Sequence, residues 1–231
     1  MRRLFWSVGL AALAVALVPT SAHAQQTLNM YLGGFDPHSY DARDPNDVLV
    51  KDIQFLNFDI NGMADFTFGG EYLVNVGDFI EVGGGIGYYQ NTKLAADCCF
   101  FFENGAPVYA DLKLRIVPIT ATARVLPFGV EAPVQPYIGG GLGVFGWRYS
   151  ESGNFVANDN QTIIQGSYVG TGWDVGPVIF GGVRVPIGRM AVGFEYRYQN
   201  AVGTLPAGQG FAGTKIDLGG SNYLATIAVK F

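Results

Sequence analysis

The chain has 231 residues, 14 basic against 19 acidic side chains for a net charge of −5, and 33 glycines, twice the usual share of roughly 7%. That acidic balance excludes a nucleic-acid binder, which needs a Lys/Arg footprint to displace counterions from phosphates. Aromatics at 14% and apolar residues at 49% exclude a disordered low-complexity chain in spite of the glycine.

Met1-Arg2-Arg3 is basic, Leu4 to Val18 is charge-free and apolar, and Ala22-His23-Ala24 supplies a small-x-small cleavage pattern. Residues 1–24 are therefore expected to be a secretory signal peptide; the apolar run falls short of the roughly 20 residues that a spanning helix needs. Removing it takes away Arg2 and Arg3 and moves the net charge from −5 to −7. Residues 25–231 are expected to form one domain, and nothing in them has the sustained apolar character of a transmembrane helix. Cys98-Cys99 closes no loop and lacks CxxC spacing. With only His38 beyond the leader, no structural metal site is expected.

From Leu56 onward apolar residues alternate with polar or tiny ones, the period-2 mark of strands with two unlike faces. Met190, Val192, Phe194, Tyr196 and Tyr198 oppose Ala191, Gly193, Glu195 and Arg197. Leu56, Phe58, Ile60, Phe66 and Phe68 oppose Asn57, Asp59, Asn61, Asp65 and Thr67, while Ala110, Leu112, Leu114 and Ile116 oppose Asp111, Lys113 and Arg115. Strands are expected near 27–35, 56–75, 79–91, 109–126, 135–149, 171–186, 189–199 and 221–231. A bulge is expected at Pro118, where the apolar phase passes from Ile116 to Ile119. Connections alternate between short turns and long loops at 36–55, 92–108, 150–170 and 200–220. The reading is all-β: an eight-stranded antiparallel up-and-down barrel with every long loop and both termini sorted by end.

Alternation alone does not say which face is inside, so a soluble lipocalin-like barrel has to be weighed against a membrane barrel. Aromatics favour the membrane: Tyr88, Tyr89, Tyr109, Trp147, Tyr149, Trp173, Tyr198 and Tyr223 fall near the long-loop ends, and Phe79, Phe128, Tyr137 and Phe231 near the short-turn ends, as two girdles would. The last strand puts Tyr223, Ala225, Ile227, Val229 and Phe231 on one face. It resembles the final strand of Gram-negative outer-membrane β-barrels, where such a pattern is read by the barrel-assembly machinery. Residues 135–143 and 194–198 likewise resemble strands of the OmpA-transmembrane, OmpX and OmpW-like families. The resemblance implies a transmembrane β-barrel of the cell outer membrane with long loops outside. Its expected partners are outer-membrane lipid and lipopolysaccharide, with no nucleic acid, no cofactor and a monomeric state.

Candidate chemistry is sparse. His38 beside Ser39, near Asp36, Asp41 and Asp44, could only suit a surface-loop active site and reads as a solvated loop histidine, so no catalytic residue is assigned. Gly83 to Gly87 lacks the following helix of a dinucleotide fingerprint and reads as relief of crowding inside a curved barrel. Asn154, Asn158, Asp159 and Asn160 offer oxygens without an EF-hand pattern. The charges Glu81, Asp111, Lys113, Arg115, Arg124, Arg184, Glu195 and Arg197 are expected to face a narrow lumen and plug it with ion pairs, Glu81 with Arg124 near the short-turn mouth and Glu195 with Arg115 above. Function is then expected to be that of an envelope scaffold and surface-interaction protein. A narrow pore for ions or small apolar solutes and a lipid A-modifying enzyme are the alternatives.

Overall fold

The computed structural model describes residues 25–157 and 162–231; the expected leader and the oxygen donors Asn158, Asp159 and Asn160 lie outside them. In chain order the strands are β1 Gln26–Pro37, β2 Leu56–Asn57, β3 Asp65–Asn75, β4 Ile80–Phe101, β5 Pro107–Val125, β6 Gln135–Val156, β7 Ile163–Ile187, β8 Met190–Gln199, β9 Val202–Thr204, β10 Lys215–Asp217 and β11 Gly220–Lys230. Among the described residues one short α-helix, α1 Val48–Asp52, precedes β2. Eight strands, all but β2, β9 and β10, close an antiparallel ring in which β1 pairs with β3 on one side and β11 on the other. Closure leaves the ring itself without an edge, while above it β7 from Ile163 to Pro177 pairs with β6 alone.

Two expectations about strand lengths are corrected. The expected strand 56–75 is broken: Leu56 and Asn57 pair with Asp97 and Ala96, a 3-10 turn follows at Ile60–Met63, and only Asp65 onward joins the ring. Leu56, Ile60 and Met63 are buried, so their spacing reflects a loop packed inward rather than a strand. Conversely, the expected long loops 92–108 and 150–170 are mostly strand, because β4 and β5 run on to Phe101 and Pro107, and β6 and β7 to Val156 and Ile163.

The expected bulge at Pro118 is absent. β5 keeps one register with β6 from Ala110↔Gly153 to Val125↔Ile138, and Ile86↔Ile119 and Tyr89↔Ile116 lie on one continuous register with β4. The irregularity in β4 lies farther up, between Ala96 and Phe101. What changes at Pro118 is the surroundings. Toward the short turns β5 turns Thr120, Thr122 and Arg124 inward and Ile119 and Val125 outward. Toward the long loops the same two faces carry buried Leu112, Leu114 and Ile116 inside and Asp111, Lys113 and Arg115 outside. β6 repeats the inversion, with Ile138, Leu142 and Val144 outward below and Arg148, Ser150 and Ser152 outward above.

The lower half therefore has an apolar exterior, continued round the ring by exposed Leu28, Phe68, Ile86, Ile179 and Val192. The upper half is a wall formed by β4 to β7 alone of the ring strands, with a mainly apolar inner face. Its core is completed from the first loop: Val48 and Leu49 of α1 are fully buried with Leu112, Leu114, Ile116, Phe145 and Tyr149. Asp47 fixes that helix by accepting from the Leu49 amide at 3.0 Å and from Arg43 at 3.1 Å. It also accepts from the backbone amide of Asp217, which ties α1 to the β9–β10 ribbon.

Candidate functional site: a charge-filled lumen under an apolar plug

Five of the eight charges expected in the lumen are there. Nearest the short turns, Arg184 of β7 makes a two-pronged bond to Glu81 of β4, at 2.6 and 3.0 Å, and its Nε donates to Gln135 at 2.7 Å. Above this layer Glu71 of β3 accepts from Arg124 at 2.8 Å and from Arg197 at 2.6 Å. Arg197 also holds Glu195 at 2.6 Å, and Arg124 approaches Glu195 at 3.9 Å. Tyr137 donates its hydroxyl to Glu195 and Asn29 its amide to Glu71. Three carboxylates and three guanidiniums thus balance, and all six are buried.

Aromatic rings finish the packing. The Arg124 guanidinium lies 4.8 Å from the Tyr137 ring centre and 5.0 Å from that of Phe180, and Arg197 lies 5.0 Å from that of Tyr31, within cation–π reach. Inward glycines make room for these groups. A Cβ on Gly85 would sit 2.7 Å from Glu71 Cγ, one on Gly87 2.6 Å from the Tyr31 hydroxyl, and one on Gly182 2.6 Å from the Tyr137 ring. The glycine run in β4 is therefore space for the charge network, as the crowding argument required.

Three assignments and both expected pairings are corrected. Asp111, Lys113 and Arg115 face outward, above the inversion and beyond the apolar band of the wall. Glu81 and Arg124 are directly opposed in register, yet Glu81 bonds Arg184 across the lumen and Arg124 bonds Glu71. Glu195 pairs with Arg197 rather than with the outward Arg115. Sequence reasoning overlooked Glu71, the centre of the network. Its signal was present: Phe66, Phe68 and Tyr72 face outward, which puts Glu71 on the inward face.

The expected girdles are also thinner than their list. Tyr89, Trp147, Tyr149 and Tyr137 point inward and are buried. Tyr88, Trp173, Tyr198 and Tyr223 stay on the outer wall, as do Phe79, Phe128 and Phe231 at the other end. Tyr223, Ile227 and Phe231 share the exposed outer face of the last strand with the half-buried Val229, as expected.

His38 is not a solvated loop residue. Its Nδ1 lies 3.0 Å from Asp217 and its Nε2 3.0 Å from the Tyr198 hydroxyl, so the ring fastens the end of β1 to β8 and to the β9–β10 ribbon. Gly219 leaves no space for a side chain against that ring. Cys98 and Cys99 are bonded to each other, which removes the thiolates that a metal beside Asp97 would need.

A closed ring of eight strands with aliphatic residues turned outward below, aromatics at both borders and charges within defines a membrane-spanning β-barrel of the outer-membrane class. No family model matches the sequence, and no curated protein matches it. Among solved structures the chain is similar to Neisserial surface protein A, at 13% identity over 90% of this chain and 97% of that one, TM-score 0.49. It is similar to the N-terminal β-barrel domain of Pseudomonas aeruginosa OprF, at 11% identity over 90% and 100%, TM-score 0.43. It is also similar to Ail, the attachment invasion locus protein of Yersinia pestis, solved with the heparin analogue sucrose octasulfate, at 10% identity over 90% and 99%, TM-score 0.41.

Proposed function

We propose that the chain is a non-conducting surface scaffold of the outer membrane, with the short turns in the periplasm and the plugged upper half outside. The observation that carries this reading is the double closure of the lumen. A conducting path would have to part a neutral six-charge cluster, and breaking a buried ion pair leaves an uncompensated charge at about 3–5 kcal/mol. It would then meet the plug built around the fully buried Val48, Leu49 and Leu114, in which the polar groups Asp47, Asp52 and Glu151 are themselves buried in the packing. A scaffold needs a rigid base that holds loops in place, and this packing supports that role. Neither described cleft opens into the lumen: one lies on the outer wall and the other at the loop tips.

The deciding experiment is reconstitution of the purified protein into a planar bilayer. Silence from heat-modifiable, folded protein is the expected result, and steady single-channel conductance would replace this reading by the narrow pore. Orientation is tested by protease shaving of intact cells. Epitope tags placed at 102–106 should be cleaved and a tag at 188–189 protected.

A further inference from the structure

The outer wall of β4, β5 and β6 carries an unneutralised basic cleft of about 300 Å³, lined by Gln90, Lys113, Arg115, Arg148 and Ser150. Register builds it: Gln90 opposes Arg115, Arg115 opposes Arg148, and Lys113 opposes Ser150 one step higher. Two arginines directly opposed on one face of a sheet repel each other. Walls in water usually relieve such repulsion with an interleaved carboxylate, yet none of the three cations joins any ion pair among the described residues. Asp111, the next outward residue along β5, makes no salt bridge to them either.

The height of the cleft supplies a second, independent observation. Trp173 is 66% exposed on β7, opposite Gly146, and its ring lies over that glycine, 2.7 Å from where a Cβ would stand. Arg148 is the next outward residue after Gly146, so it sits roughly 7 Å farther along the strand than the aromatic border. Tyr88 stands in the same relation to Gln90 on β4. Aromatic belts mark the level of lipid headgroups, and anionic headgroups lie just beyond them. On the far wall the outward position one step above Tyr223 and Gly34 is taken by exposed Asp36. The basic character is thus confined to one side, at the depth of the headgroups.

We infer that Lys113, Arg115 and Arg148 form a binding site for a phosphorylated lipid headgroup of the surrounding leaflet, with Gln90 and Ser150 donating at its edges and Trp173 as the apolar shelf beneath. Two guanidiniums and an ammonium suit a group bearing one or two phosphates, since arginine binds phosphate through paired N–H groups. Under the orientation proposed above that leaflet is the outer one, whose phosphorylated lipid is lipopolysaccharide. The site itself rests only on the wall geometry.

The test uses the folded full-length protein in neutral detergent and three probes: bisphosphorylated lipid A, the same lipid stripped of phosphate, and inorganic phosphate. Wild type should bind the phosphorylated lipid, and K113Q/R115Q/R148Q should bind it at least about tenfold more weakly, the order expected for losing charged hydrogen bonds. Without lipid the triple variant should melt no lower than wild type, because it relieves repulsion; with lipid, only wild type should gain in melting temperature. If the triple variant does not fold, R148Q alone is compared with R189Q, a control at the short-turn end that should bind like wild type. Equal binding by the variant, or equal binding of the stripped lipid, overturns the site. If inorganic phosphate displaces the lipid at matched concentration, the ligand is free phosphate and the lipid assignment fails. Conductance does not enter any of these measurements, so their failure is distinct from failure of the scaffold reading.

Discussion

The two halves of this molecule share strands and register, though only the lower one closes into a ring, and they are opposite in polarity. Below Pro118 the wall is apolar outside and charged inside; above it the wall is charged outside and, Glu151 apart, mainly apolar inside. Because β5 and β6 stay in one unbroken register through the change, the backbone has not slipped. Side-chain alternation in a strand reports that two environments differ, and says nothing of which environment lies on which side.

The sharpest way to test that contrast is to remove one member of the lower network. Glu71→Ala should strand Arg124 and Arg197 without their shared carboxylate and lower stability by about 3–5 kcal/mol, read as a drop in urea midpoint for the detergent-folded protein. A drop below about 1 kcal/mol would mean that water reaches the cluster. Next in size is an exchange of environments on one strand face. Leu142→Lys, on the lipid-facing part of β6, should cost about 2–4 kcal/mol in a bilayer, whereas Ser152→Lys, on the same face above the inversion and opposite Asp111, should stay within about 0.5 kcal/mol. Similar losses at both positions would erase the inversion.

A smaller effect separates the observed ion pairs from the one that adjacency suggests. A double-mutant cycle of Glu81→Ala with Arg184→Ala should give a coupling of about 0.5–3 kcal/mol, while the cycle with Arg124→Ala gives less. The reverse order would restore the neighbour pairing. The smallest expected effect is on pH. Asp52 of α1 is fully buried, with Tyr149 donating to it at 3.0 Å and Glu151 and Asp47 as acidic neighbours. Burial first, then the Glu151 carboxylate, pushes its pKa up from 3.8 to about 8, against the pull of the Tyr149 bond. The folded state therefore keeps a proton that the unfolded chain has released, so stability falls as pH rises from about 4 to about 8. Asp52→Asn should flatten that slope in melting curves taken across this range, and an unchanged slope would remove Asp52 as its source.

The sequence carried the ring well and the site in part. Strands such as Met190 to Gln199 were legible because lipid outside and charge inside make the two faces extreme, and the same contrast revealed Glu81, Arg124, Arg184, Glu195 and Arg197. Asp111, Lys113 and Arg115 were misplaced by the same rule, applied beyond the apolar band of the wall. Strand ends in the upper half were missed since Ser150, Ser152, Gly153 and Asn154 look like a loop, although they pair in full with β7. The partner of Glu81 was not legible at all. A reach across the lumen depends on the curvature of the closed ring, and no spacing along the chain encodes it.

The upper pairing of β6 with β7 has a mechanical consequence. From Trp147↔Gly172 to Val156↔Ile163 it forms ten consecutive pairs beyond the aromatic border. At roughly 3.3 Å per residue that is a ladder of about 33 Å. It is bonded across its whole length and braced at its foot by the plug, so it acts as a short stiff mast rather than a tether. A partner gripping the uppermost described pair, Val156 and Ile163, would pull on the barrel wall directly.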